Sequence, residues 1–184
     1  VEAQLLADRG FQNLVFDFMD ASLAVDPDNT DFLYFRAMAG EKFGDLSILE
    51  RDLRRVIELE PNNAAALNAL GYTLTDQTNR HEEALVLINK ALAIKPDEAA
   101  YIDSLGWVQF RLRNYEESLV HLRRALDLFP NDEVAAHLGE VLWVTGHEEE
   151  ADQIWSEALE RKPESEILRE VCLLYTSPSP RDQR

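Results

Sequence analysis

Positive charge is scarce in this chain. Thirty-five aspartates and glutamates face only 18 lysines and arginines, for a formal net charge of −17. Nucleic acid is excluded as a partner, because its phosphates demand a basic face, and an anionic membrane surface is disfavoured for the same reason. Cysteine is nearly absent, with one among 184 residues, so cysteine usage says nothing about redox compartment. No apolar run approaches the roughly 20 residues of a membrane span. No charged-then-apolar leader follows Val1, although such a segment could lie upstream. Catalytic and metal patterns are missing too. The four histidines, His81, His121, His137 and His147, form no His–Glu–x–x–His pair, and there is no glycine-rich phosphate loop or nucleophile elbow. Carboxylates abound, but on expected surface turns, without the apolar pocket that would raise a pKa for acid–base work. No cofactor, no metal and no catalytic role are therefore expected.

What the chain does have is a beat. Hydrophobic residues make up 46% and charged residues 29%, an ordinary globular balance. Prolines fall at Pro27, Pro61, Pro96, Pro130 and Pro163, in steps of 34, 35, 34 and 33 residues. Ala91, Ala125 and Ala158 each precede a proline by five residues, and Ala84, Ser118 and Ala151 lie seven residues before those. Gly71, Gly106 and Gly139 keep the same time. A glycine, two small residues and a proline in fixed order, repeated, are the signature of a repeat architecture.

Each unit reads as two helices. In Ala99–Phe129, Ile102, Leu105, Val108 and Leu112 share one helical face. "RNYEES" makes a turn with Asn114 as the expected N-cap, and Glu116 and Glu117 complement the helix dipole. The second helix carries Leu119, Leu122, Ala125 and Leu126 and ends before Pro130, which cannot donate the helical hydrogen bond. Asn131 or Asp132 can cap the next helix. Arg123, Arg124, Lys90 and Arg161 read as dipole complement on solvated faces. Glycine within a helix costs about 1 kcal/mol. Close approach of two antiparallel helices explains it, with Gly106 and Ser118 where the backbones come nearest.

Leu–Gly–aromatic, then small, small and proline on a 34-residue beat resembles the tetratricopeptide repeat. The match is strong over 64–98, 99–131 and 132–164. It is weaker over 30–63, where Ala37 takes the glycine place and Leu49 and Val56 the small places, and partial over 1–29. The resemblance implies an all-α, right-handed superhelical solenoid of antiparallel helix pairs over 1–171, the last stretch beginning a further helix. More finely, the repeats are similar to those of proteobacterial envelope lipoproteins, which implies an envelope location, with cytoplasm as the other possibility. After Val171, "CLLYTSPSPRDQR" resembles the in-frame translation of a sequencing-library adapter, so 172–184 is expected to be a non-native or disordered tail. Without a polar terminal repeat, the C-terminal end is expected to fray and self-associate weakly.

In the resembled family, first helices line a concave groove that takes peptides or partner segments. Carried over by register from each glycine, the groove positions are Tyr34, Asn68, Tyr72, Thr75, Asp103, Trp107, Phe110, Glu140 and Trp143, with Asp31 beside Tyr34. Some members grip a C-terminal carboxylate with lysine and asparagine. Asn68 and Asp103 stand where such contacts would begin, but no lysine accompanies them, so the acidic lining implies an apolar ligand with basic or neutral flanks. Trp107 has two readings: an exposed anchor for a partner, or a ring packed on the neighbouring repeat. Trp155 reads as core. The function expected is a non-catalytic scaffold for a protein or peptide. The alternative is the recruiting segment of a larger enzyme or protease assembly whose catalytic domain lies elsewhere.

Overall fold

The computed structural model describes residues 2–176, with side chains described from Gly10 to Tyr175. Every described element is a helix: α1 Glu2–Val25, α2 Thr30–Phe43, α3 Leu46–Leu59, α4 Ala64–Gln77, α5 His81–Ile94, α6 Ala99–Arg111, α7 Tyr115–Leu128, α8 Asp132–Val144, α9 Glu148–Arg161 and α10 Glu166–Thr176. The prolines act as expected, each standing two residues beyond a helix end, at Val25, Leu59, Ile94, Leu128 and Arg161. The residue between donates its N–H to the carbonyl four back, as Glu60 does to Val56 and Lys95 to Ala91. The small residues before each proline thus take the last helical hydrogen bond. Asn29, Asn63 and Asn131 cap α2, α4 and α8 by accepting from the third residue on. Asn114 does not cap α7. Its side-chain amide donates to Gln109 Oε1 at 2.8 Å, because the chain enters that turn through Arg113 in the left-handed region (φ 65°).

Helices pair as α2–α3, α4–α5, α6–α7 and α8–α9, and each pair packs on the next through α3–α4, α5–α6 and α7–α8. The first helices α4, α6 and α8 also pack on one another, whereas the second helices make their contacts with first helices. The all-α stack therefore curves as a solenoid with first helices on its inner side. Its core falls into an N-terminal cluster with Leu33, Leu49, Leu53, Leu67, Leu70 and Ile88, a C-terminal one with Leu138, Leu142 and Trp155, and a small one of Ile102, Ala125 and Val134, which the half-buried Leu92 and Leu126 bridge to the other two.

The glycines sit at the crossings. Ser118 Oγ donates to the carbonyl of Gly106 at 2.7 Å, and a Cβ on Gly106 would lie 2.6 Å from Leu122 Cγ and 3.2 Å from the Leu122 nitrogen. Removing the side chain lets α6 and α7 touch backbone to side chain, where dispersion contacts are densest. The arginines do more than complement dipoles. Arg55 and Arg124, in equivalent places on α3 and α7, pair with Asp28 and Asp97 in the preceding proline turns, both at 2.6 Å. Arg54 and Arg123 reach forward to Glu83 and Glu150 on the next second helix. These four arginines thus stitch one repeat to another.

The expected boundary at 171 falls inside a helix. α10 runs on to Thr176, and Cys172 stands 33 residues after Gly139, in the glycine's own register. Residues 172–176 thus belong to α10. The remainder of the tail lies outside the described residues.

Candidate functional site

The inner layer places the groove residues unevenly. Tyr34 on α2 is half-buried against the core, and burial followed by the charge of Glu41 raises its hydroxyl. Asn68 on α4 is also half-buried, with an Oδ1 that is buried and unpartnered. Phe110 packs between Trp107 (centroids 5.1 Å apart) and Tyr115 (5.9 Å). Three positions are enclosed by the surrounding helices. Thr75 is fully buried and its hydroxyl donates back to the Gly71 carbonyl at 2.9 Å. Asp103 is 4% exposed and Trp107 6%. For Trp107 the packed reading holds: its indole stacks on His137 of α8, with centroids 4.2 Å apart and planes 17° apart.

His137 was passed over when histidines were weighed only as metal ligands. It sits one residue past the Asn68 and Asp103 register, on the side of α8 that faces α6, and that placement was the available signal. Its Nδ1 lies 3.0 and 3.1 Å from the two carboxylate oxygens of Asp103. Burial alone would lower its pKa. The Asp103 carboxylate, with Glu133 and Glu140 behind it, more than offsets that and holds the imidazole above its ordinary value. Above the ring, Tyr72 of α4 donates its hydroxyl to Glu133 Oε1 of α8 at 2.9 Å, a bond that spans the intervening α6. Burial, then the charge of Glu133, pushes the Tyr72 hydroxyl far up, so it stays a donor. Tyr72, His137, Trp107, Phe110 and Tyr115 thus form a run of ring contacts in which Trp107 and His137 are stacked and the others tilted.

At the far end, Trp143 is half-buried. It stacks on Trp155 (5.8 Å) and meets Tyr175 of α10 at 6.1 Å, while the Tyr175 hydroxyl donates to Glu140 at 2.6 Å. Trp155 is fully buried, as read from the sequence.

Between the first helices lies a hollow of about 230 Å³ lined by Glu41, Asn68, Tyr72, Asp103, Ser104 and Glu133, among others, and a smaller one of about 160 Å³ borders Asp31 and Tyr34. No lysine or arginine lines the larger hollow. Burial, then the like charges of Glu133 and Asp76, raises the Glu41 carboxyl. The lining of the larger hollow carries three carboxylates, Glu41, Asp103 and Glu133, while the Tyr72 and Ser104 hydroxyl protons are already given to Glu133 and to the Ala100 carbonyl. Among the described residues no three His, Cys, Asp or Glu side chains are placed to hold a metal ion, and no helix is long and apolar enough to cross a membrane.

The architecture has relatives. Two sequence profiles described as tetratricopeptide repeats match residues 50–99 and 99–132. Over 140 residues the chain is 45% identical to the TPR repeat-containing protein PA4667 of Pseudomonas aeruginosa, an overlap of 76% of this chain and 24% of that protein. It thus spans about a quarter of that relative's length. Among solved structures it is similar to TTC0263, a thermophilic TPR protein of Thermus thermophilus, with TM-score 0.75, 23% identity and 91% of both chains covered. It is also similar to PilW, a type IV pilus biogenesis factor, with TM-score 0.75, 17% identity, and 99% of this chain and 94% of that one covered. At those identities the two structures speak for the fold. Repeat beat, helix-pair stacking and sequence kinship agree: this chain is a tetratricopeptide repeat protein.

Proposed function

We propose that the array is a non-catalytic scaffold that holds a segment of another protein against its inner face, with a lysine or arginine of that segment entering the hollow between α2, α4, α6 and α8. One observation carries this reading: the hollow is lined by the carboxylates of Glu41, Asp103 and Glu133 with no cation among its lining. A guanidinium or ammonium brings several donors and a positive charge, and a desolvated acidic site rewards both. Aromatic anchoring is not part of the proposal, since Trp107 and Trp143 stack on the protein's own rings. The test is an array of nonamer peptides probed with the wild-type protein and Glu41→Lys. Arginine- and lysine-containing peptides should lose at least tenfold in affinity to the variant while neutral peptides are unchanged. Equal binding of all classes by both proteins would refute the role of the hollow.

A second reading is favoured by the relative's length. The chain spans only 24% of PA4667, so the array is proposed to recruit substrates or partners for a larger protein, with any catalytic domain outside these residues. A location in the bacterial envelope belongs to the same proposal and rests on the finer likeness of the repeats. Cell fractionation of the full-length protein tests it.

A further inference from the structure

Five groups lock the inner side of the solenoid together. Asp103 on α6 and His137 on α8 meet at 3.0 Å in a buried setting, 4% and 5% exposed. Trp107 lies flat on His137, and the Tyr72–Glu133 hydrogen bond passes from α4 to α8 across both. The joint therefore ties three consecutive first helices by polar contacts on the very face that borders the hollow, to which Tyr72, Asp103 and Glu133 all contribute. We propose that this cluster is a proton-operated clasp, closed when His137 carries its second proton and loosened when that proton leaves, so that a basic side chain of the partner and the His137 proton compete for the same carboxylates.

The charge arithmetic is local. From α8 itself Glu133 and Glu140 face the ring, and Asp103 faces it from α6. From α4 come Tyr72 and, beyond it, Asp76, and from α2 comes Glu41, coupled to Glu133. α7 and α9 meet α8 with apolar or aromatic groups, Leu122 and Trp155. α10 brings Tyr175, whose hydroxyl is spent on Glu140. No lysine or arginine pairs with Asp103, Glu133 or Glu140 among the described residues, so the imidazolium is the counter-ion of this cluster. Neutral His137 can still donate from Nδ1 to Asp103, but the carboxylates then repel one another in a poorly solvated place, where such repulsion is strongest. Because the folded-state pKa of His137 is raised, the clasp's stabilisation is complete below the ordinary histidine value, about 6.5, and is lost as pH rises through the folded value. An incoming guanidinium restores the missing positive charge. Binding is then linked to proton release, and each site biases the other by the same factor.

The inference rests on the inner hollow being the partner site, and its test separates the two. The ring signals of His137 are followed by NMR from pH 5 to 9, together with acrylamide quenching of the tryptophan emission. The wild-type midpoint should lie above about 6.5, with quenching rising through the same midpoint as Trp107 is uncovered. Asp103→Asn should lower the midpoint by about one pH unit or more. Should that variant fail to fold, Glu133→Gln, at the rim, should lower it by less. His137→Gln should abolish the quenching step. A midpoint at or below about 6.5, or one unmoved by the folded variants, or constant quenching, overturns the clasp. Binding of a blocked nonamer of alternating arginine and alanine is then measured in 0.15 M salt. Affinity should rise about tenfold per pH unit below the midpoint, level off above it, and show no such rise in His137→Gln. A pH-independent affinity in the wild type overturns the competition. If the ring titrates as stated and the peptide binds at no pH, the clasp stands and the groove reading falls.

Discussion

The indole of Trp155 rests directly on Gly139: a methyl group added to that glycine would lie 2.0 Å from the indole Nε1 and 2.4 Å from Cε2. The indole nitrogen points on toward the Ala136 carbonyl at 3.4 Å. A large, fully buried second-helix ring and a first-helix residue without a side chain are thus two halves of one contact.

That contact ranks the glycines. Gly139→Ala must move a rigid buried indole and should destabilise by about 3 kcal/mol. Gly106→Ala meets the branched tip of Leu122, which can shift, but also the Leu122 nitrogen at 3.2 Å, which cannot, so a loss of ~1–3 kcal/mol is expected. Gly10 on α1 has nothing within 4 Å of an added Cβ, and Gly10→Ala should stabilise by up to about 1 kcal/mol through helix propensity alone. Urea unfolding of the three variants checks the order. An equal cost at all three would show that the close approaches do not matter.

Trp107 is a packing residue with a polar neighbour. Trp107→Ala opens a cavity beneath His137 and should cost about 3–5 kcal/mol, seen as a large fall in melting temperature. Tyr72→Phe removes only the hydroxyl that Glu133 accepts, and should cost ~0.5–1.5 kcal/mol. A Trp107→Ala protein with wild-type stability and weakened peptide binding would restore the exposed-anchor reading.

The repeat beat made the fold legible, because helix punctuation is written locally: proline two residues past the second helix of each pair, asparagine at the start of α2, α4 and α8, glycine where helices cross. The inner face was not legible in the same way. Register fixes which helix carries Asp103 and Trp107, but whether a side chain there meets solvent depends on the neighbouring helix, and the pattern within one repeat does not show it. His137 covers Trp107 from 30 residues away, and Glu133 reaches Tyr72 from 61 residues away. Tyr175 meets Glu140 and Trp143 from beyond the boundary expected at 171. Side chains that close on one another across repeats leave their signal in pairs of residues.

Asp52 carries more than its place on a second helix suggests. It is 2% exposed and accepts from Arg36 Nε at 2.6 Å, from Arg36 Nη2 at 3.0 Å and from Arg51 at 2.8 Å, while Arg36 also reaches Asp20 on α1. α1, α2 and α3 are joined through these charges. Asp52→Ala strands the mostly buried Arg36 guanidinium with one exposed partner and should cost about 3 kcal/mol or more. Arg124→Ala, which removes an exposed pair with Asp97, should cost at most ~1 kcal/mol. Paired urea melts with and without 0.5 M salt check both, and only the exposed pair should be screened appreciably.

The last prediction concerns α10. Tyr175 closes a three-ring cluster with Trp143 and Trp155, and Leu168, fully buried, anchors the same helix beneath them. Ending the chain after Val171 keeps Leu168 but removes Tyr175, so one face of Trp143 is left to water and Glu140 loses its donor. Exposed apolar surface at the end of a stacked array is what a further repeat would cover, and a second copy of the chain can cover it instead. The shortened protein should therefore show red-shifted tryptophan emission at low concentration, and a light-scattering mass that grows with concentration where the longer chain's grows less. The variant Tyr175→Phe retains the ring and loses only the hydroxyl, so it should keep the longer chain's emission and mass. If shortening changes neither emission nor association, α10 is not what shields this end of the solenoid.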